Sequence, residues 1–528
     1  MEVLLKGAQA ILQTLQAGGL DTIFTNPGTS EMASVRALDD VPDMRGVLAL
    51  FEGVATGAAD GYARMAGRPA ATLLHLGPGL ANGASNLHNA RRARSPIVNL
   101  VGEHARDHLA FDAPLTTDLE GVARPFSVWQ RTIAEPATAG RDAAEALAAA
   151  QEREGPVTLM LPADVAWSEG ASPHAPIVPR PPPQPSQNVI DQAAALIRSK
   201  GPRVLLLLGG HALGERGVAA AARLAAATGA RLACETFNRR VARGAGRPHI
   251  PKIPYFGAMA EEFLRGVEVL VLVGARAPVN FFGYPGRRGT PVPPDLEVLA
   301  VARPDEDALY AIEALAGLLA GGAAASPQHA ALPGRPNGPI HAASLAAAVA
   351  RQLPEGAVLC DEAITAGMGL ADALAAAAPH DQLDVTGGSI GGGLPLATGA
   401  AIATPDRRVW CLEGDGSAMY TIQALWTQAR ERLDVTTVIC ANRRYAILAH
   451  EHQQIEGIPP GPRALPVLSL DRPTLGFVDL ARGLGVEALS VATAEELDAA
   501  LARAARHRGP LLIEAVFADR AAAPGGGV

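Results

Sequence analysis

Val409-Trp-Cys-Leu-Glu-Gly-Asp-Gly-Ser417 runs from a short apolar stretch straight into a glycine-flanked aspartate. A helical segment through Ala424-Leu-Trp426 follows, and then a second apolar run, Val435 to Cys440, that ends near Asn442. Short aliphatic runs alternating with helical stretches mark a parallel sheet covered on both faces. The pattern recurs upstream. A first block carries Thr22-Ile-Phe24, Ala71–Leu74, Ile97–Val101 and Val157–Leu161. A second carries Val204–Leu208, Val267–Val273 and Leu296–Val301, and the third has Val358-Leu-Cys360, the two runs above and Leu511–Val516. Two proline-dense segments, Pro173–Pro185 and Gly321–Pro339, suit neither helix nor central strand and read as tethers. The reading is three doubly wound α/β domains, about 1–170, 188–320 and 341–518, with a flexible tail at 519–528.

Composition agrees. The chain has 528 residues, 48% hydrophobic and 19% charged, which excludes a chain disordered throughout, and at ~150 residues per domain the length suggests three domains. With 45 Lys+Arg against 53 Asp+Glu, the net charge is −8, and aromatics make up 4%. That balance argues against a nucleic-acid partner. The four cysteines form no C-x-x-C pair, so neither a disulfide framework nor a zinc knuckle is expected. No basic-then-apolar leader is visible, and the longest apolar stretch, Ala314–Ala325, falls short of a membrane span. A cytoplasmic protein is expected.

In open α/β sheets ligands gather at the carboxyl ends of strands. Glycines around Asp415 let the backbone turn sharply and approach a diphosphate, and the Asp415 carboxylate and Asn442 amide offer hard oxygens to Mg²⁺, with the Arg444 backbone carbonyl as a third ligand. Twenty-five residues separate Gly416 from Asn442. The plainer reading of Gly414-Asp415-Gly416-Ser417 is a strand-to-helix turn with an acidic or hydroxyl cap. Asn442 at a second strand end favours the ligand site, because two strand termini then converge on one crevice.

This motif resembles the diphosphate-binding signature of thiamine diphosphate enzymes, and the resemblance covers the whole chain in order. It includes Asn26-Pro-Gly-Thr-Ser-Glu31, Val47-Leu-Ala-Leu-Phe-Glu52-Gly and Gly387-Gly-Ser-Ile-Gly391, and it is strongest to the benzoylformate decarboxylase and acetohydroxyacid synthase group. The resemblance implies mainly parallel six-stranded sheets: a pyrimidine-binding first domain, a Rossmann-like middle domain and a diphosphate-binding last domain. It implies that Glu52 protonates the cofactor's aminopyrimidine, that Gly388 offers its carbonyl to the amino group, and that Ile390 is the wedge under the cofactor. Glu52 as a helix-start acid and Ile390 as ordinary core remain the alternatives.

By the same resemblance His75 faces the substrate and handles protons, Thr29 binds its carboxylate, and Leu115 and Leu448 wall the acyl pocket. Thr29 also reads as a helix cap. The relatives' second active-site histidine follows an Ala-Pro-Val segment, and the matching place here, after Ala277-Pro-Val279, is Gly283. The implied function is a thiamine diphosphate- and Mg²⁺-dependent 2-oxo acid decarboxylase or carboligase, whose enamine intermediate is protonated to an aldehyde or added to a second carbonyl. The implied assembly is a homodimer or homotetramer with sites between subunits. FAD in the middle domain, as in an acetolactate synthase or pyruvate oxidase, is possible but not expected. Gly77-Pro-Gly79 and Gly209-Gly210 do not match the dinucleotide pattern, and His450-Glu451-His452 has the wrong spacing for metal ligands on one helix face. A catalytically silent structural or regulatory subunit is the reading from another class, and an intact Glu52, Asp415 and Asn442 argue against it.

Overall fold

The computed structural model describes residues 5–321 and 330–518; the expected tail, part of the second tether and the end of the Ala314–Ala325 stretch lie outside them. Three sheets carry the fold. The first has six parallel strands in the order Arg45–Leu48, Thr22–Asn26, Ala70–Leu74, Ile97–Glu103, Pro156–Pro162, Trp129–Thr132. The second has four parallel strands in the order Arg231–Cys234, Val204–Leu208, Val269–Val273, Glu297–Ala302. In the third, the parallel strands His380–Asp384, Val358–Glu362, Val409–Gly414, Val435–Ala441, Leu511–Val516 and Glu487–Val491 lie side by side.

The three-sheet α/β architecture stands as the sequence pattern implies, but six strands is the count of the first sheet alone. Among the described residues the middle sheet has four strands. The last reaches seven because Val241–Arg243, which follows a middle-sheet strand, pairs antiparallel with His380–Asp384 on its edge. The strand His380–Asp384, now paired on both sides, carries charge inside the protein. Asp381 accepts from Arg240 at 2.9 and 3.0 Å and from Arg407 at 2.7 Å, while Asp384 accepts from Lys252 Nζ at 2.8 Å.

The first and third sheets share one apolar core, running from Phe24 and Val47 through Leu394 and Ile402 to Leu512. Its centre is the contact of helix Glu52–Ala66 with helix Gly393–Ala403. The backbones approach so closely that a Cβ on Gly61 would lie 2.0 Å from the Leu396 carbonyl oxygen, and one on Gly399 1.8 Å from that of Ala58. Only glycine fits there. The four cysteines are free and buried, and among the described residues no helix is long and apolar enough to cross a membrane.

Candidate active site

Strand order reverses twice at places that matter. In the first sheet the earliest of the six strands, Thr22–Asn26, sits between Arg45–Leu48 and Ala70–Leu74; in the third, Val358–Glu362 sits between His380–Asp384 and Val409–Gly414. Chain leaving such neighbours in opposite directions opens a crevice at their carboxyl ends. Most of the predicted site residues follow these strands, while Leu115 follows Ile97–Glu103 and Asn442, Arg444 and Leu448 follow Val435–Ala441.

At the first edge, helix Leu76–Ala93 starts directly after His75. The His75 Nδ1 lies 2.8 Å from Glu31 Oε2 and 3.2 Å from Ser30 Oγ, and Ser30 Oγ donates to Glu31 Oε1 at 2.7 Å. Glu31 is buried and also accepts from the Gly28 amide at 2.7 Å. A carboxylate at Glu31 accepts from Nδ1, which leaves Nε2 as the ring nitrogen outside this pair. Gly28 is required for this arrangement, because a Cβ there would lie 2.2 Å from His75 Nδ1. Thr29 opens the short turn Thr29–Glu31 and is exposed. The cap of that turn is the Glu31 carboxylate rather than the Thr29 hydroxyl. Sequence reasoning passed over Glu31, although the acid stands two places after Thr29.

Glu52 begins its helix at the carboxyl end of the Arg45–Leu48 strand and is buried. Its Oε2 accepts from Asn82 Nδ2 at 3.0 Å, and its Oε1 points toward Gly79, where a Cβ would sit 3.3 Å away. One oxygen is therefore held and the other faces the glycine that closes over it. Asn82 is a second residue the sequence did not single out. Leu115 lies partly exposed in the turn whose Thr117 packs against Gly77, at the start of the helix after His75.

At the second edge, Asp415 is buried at the end of the Val409–Gly414 strand. Its Oδ2 accepts from the Arg443 amide at 2.5 Å and its Oδ1 from the Gly416 amide at 2.9 Å. Burial pushes the Asp415 carboxyl up, opposed by those amide bonds. Asn442 turns its Oδ1 onto the Arg444 amide at 3.1 Å. The structure thus brings Gly414, Asp415, Gly416, Ser417, Asn442 and Arg444 into one turn pair. The Tyr445 ring lies against Gly416, where a Cβ would be 2.3 Å from its Cε1, and Leu448 is exposed in the first turn of helix Ala446–Glu456.

Gly388 and Ile390 belong to the loop that follows His380–Asp384. Gly388 has φ +72° and lies under the Phe281 ring, whose Cζ would be 2.4 Å from a Cβ there; Ile390 is half-buried. Gly283, two residues beyond Phe281, has open space around its Cβ position. The two edges meet through Asn86, whose Nδ2 donates to the carbonyls of Gly53 at 2.8 Å and Gly391 at 3.3 Å. In the middle sheet, the loops after Val204–Leu208 and Val269–Val273 touch, with a Cβ on Gly209 falling 2.5 Å from the Gly274 carbonyl oxygen.

These residues fit a phosphorylated cofactor carried with a divalent cation. The Asp415 carboxylate and the Asn442 amide are hard oxygen donors, the glycines allow backbone approach, and Glu52 keeps one carboxyl oxygen uncommitted to Asn82. Such a fold with such a site defines a cofactor-dependent enzyme of the α/β class. The chain belongs to the thiamine pyrophosphate enzyme family: residues 5–121 match its N-terminal TPP binding domain and residues 365–515 its C-terminal TPP binding domain. Within that family it lies in the acetolactate synthase and decarboxylase group. It is 51% identical to the "Putative acetolactate synthase large subunit IlvX" of Mycobacterium tuberculosis, over 97% of this chain and 99% of that protein. It is 31% identical to a benzoylformate decarboxylase of Pseudomonas aeruginosa, over 96% of this chain and 97% of that one. Among solved structures, a thiamine diphosphate-dependent 4-hydroxybenzoylformate decarboxylase of Rhodococcus jostii RHA1 superposes with a TM-score of 0.83 at 26% identity, over 98% of this chain and 100% of the other.

Proposed function

We propose that this chain is a thiamine diphosphate- and Mg²⁺-dependent enzyme that removes CO₂ from a 2-oxo acid and delivers the remaining acyl fragment either to a proton, giving an aldehyde, or to a second carbonyl, giving a 2-hydroxy ketone or acetohydroxy acid. The observation that carries the reading is Glu52, a buried carboxyl with one oxygen bonded to Asn82 and the other directed at Gly79, beside His75. The cofactor supplies a carbon nucleophile for the keto carbon and an electron sink for the bond to CO₂.

The chain's own residues do the rest. With the cofactor bound, Glu52 would hold or release a proton at Oε1, the oxygen not bonded to Asn82. Asp415, the Asn442 amide oxygen and the Arg444 carbonyl would hold Mg²⁺, and Gly414, Gly416 and Ser417 would border the diphosphate. Gly388 and Ile390 take the pyrimidine from the loop side. Thr29 binds the substrate carboxylate, and His75 moves a proton at the acyl carbon through Nε2 while Glu31 fixes its ring. Leu115 and Leu448 wall the acyl pocket. Exposed apolar side chains near both edges, among them Leu50, Phe111 and Tyr420, suit a second copy of the chain, so the working form is a homodimer or homotetramer.

The deciding experiment offers pyruvate, 2-oxobutyrate, benzoylformate, oxalyl-CoA and glyoxylate separately to the protein with thiamine diphosphate and MgCl₂. CO₂ and the organic products are followed. CO₂ release that requires both additions supports the proposal, and no turnover with any of the five would defeat it.

A further inference from the structure

The loop from Gly387 to Gly393 is held by an alternating set of bonds. His88 Nε2 lies 3.2 Å from the Gly387 carbonyl. Asn89 pairs with both sides of the Ser389 peptide, its Nδ2 donating to the Ser389 carbonyl at 2.8 Å and its Oδ1 accepting from the Ser389 amide at 3.2 Å. The Gly391 carbonyl accepts from Thr421 Oγ1 at 2.9 Å and from Asn86. From beneath, the two oxygens of Glu362 accept separately from the amides of Gly391, at 2.8 Å, and Gly393, at 2.6 Å. These bonds fall on Gly387, Ser389, Gly391 and Gly393. Gly388 and Ile390, between the grips, take part in none of these bonds.

Two of these residues do most of the holding. Asn89 is buried on helix Leu76–Ala93, locked by a 2.9 Å bond from its Nδ2 to Asn86 Oδ1 and by its own carbonyl accepting from Thr386 Oγ1 at 2.7 Å. It acts on Ser389 as a neighbouring strand would, with one donor and one acceptor. Glu362 is buried at the end of the Val358–Glu362 strand and spans two amides across Gly392. Beside it, Glu413 Oε2 would lie 2.2 Å from a Cβ on Gly393, so the chain passes over both acids only as glycine. Buried backbone amides without acceptors would otherwise oppose this turn.

We propose that Asn89 and Glu362 are positioning residues for cofactor binding: by fixing Ser389, Gly391 and Gly393 they present Ile390, and Gly388 next to Ser389, in the shape that receives the pyrimidine half of thiamine diphosphate. The inference rests on the reading of this loop given under the proposed function. Neither residue touches the cofactor, and each acts through the backbone it holds.

The test measures thiamine diphosphate binding by calorimetry at saturating MgCl₂ in wild type, Asn89→Ala and Glu362→Gln, with amide hydrogen exchange of the cofactor-free proteins alongside. Asn89→Ala removes both bonds to Ser389, and Glu362→Gln sets an NH₂ against one of the two glycine amides. Both are expected to weaken binding roughly tenfold or more. Exchange should speed up across 387–393 while the Val409–Gly414 strand stays protected. Should Asn89→Ala lower that strand's protection as well, Asn89→Asp, which keeps size and acceptor but loses the donor, takes its place under the same criteria. Wild-type affinity retained in the variants, or an unchanged loop exchange rate, overturns the positioning role. Absence of binding by the wild type overturns instead the functional reading beneath it.

Discussion

His75 Nδ1 and Glu31 Oε2 stand 2.8 Å apart, and the Glu31 side chain has no exposed surface. The pair engages Nδ1 and leaves Nε2 for the proton handling proposed at the substrate. Glu31→Gln keeps the volume but replaces the carboxylate that accepts from His75 and Gly28 with a neutral amide. We expect kcat on the preferred 2-oxo acid to fall about a hundredfold, with KM moving far less, because proton handling is lost while substrate contacts remain. Steady-state kinetics check this. Full turnover in the variant would remove the pair from the chemistry.

Glu52→Gln poses a sharper question. The glutamine side chain still offers an oxygen to Asn82, so the melting temperature should stay within a few degrees of wild type. Turnover should fall by about 10² to 10⁴, the range for a lost general acid. Thermal melts and single-turnover CO₂ release on the same preparation separate the two effects, and a variant of normal rate would refute the proposed proton exchange.

How much of this was written in the chain depends on what each residue does. Val204–Leu208 and Val435–Ala441 are buried on both faces and aliphatic or β-branched almost throughout, so their strands are plain in the sequence. His380–Asp384 is equally buried but reads His-Asp-Gln-Leu-Asp. It was missed because its stability comes from Arg240, Arg407 and Lys252, partners distant in sequence. Trp129–Thr132, a half-exposed edge strand, was missed for lack of an apolar run. The site divides likewise. Asp415 and Asn442 were legible because each ends an obvious strand, whereas Glu31, Asn82, Asn89 and Glu362 acquire their meaning only from which backbone or side chain the fold sets opposite them.

Asp415→Asn keeps the side chain's size and removes its charge. Its buried oxygens hold the Arg443 and Gly416 amides, so half of that pattern survives in the variant. Cofactor retention through gel filtration in MgCl₂ should be lost, because the amide is a poor substitute for a carboxylate on Mg²⁺. In the wild type, EDTA should produce the same loss. Thiamine content of the eluted protein is the readout, and equal content in variant and wild type would remove Asp415 from the metal site.

Glu235, just past the Arg231–Cys234 strand, makes a pH-dependent contribution of predictable sign. Removal from water pushes its carboxyl from the ordinary 4.5 up to about 7, opposed by the Arg276 amide, which donates at 3.1 Å, and by the Arg276 charge. Between about pH 4.5 and 7 the folded chain therefore binds more protons at this residue than the unfolded chain. Its contribution to stability is fully present below that window, declines as pH rises through it, and stays lost above it. Glu235→Gln, which cannot ionise, should abolish the decline. Denaturant unfolding of both proteins at pH 5, 6, 7 and 8 should show the variant gaining on the wild type up to pH 7 and keeping a constant lead beyond. A stability difference independent of pH would mean that Glu235 is ionised in the folded protein throughout, with its charge satisfied by Arg276.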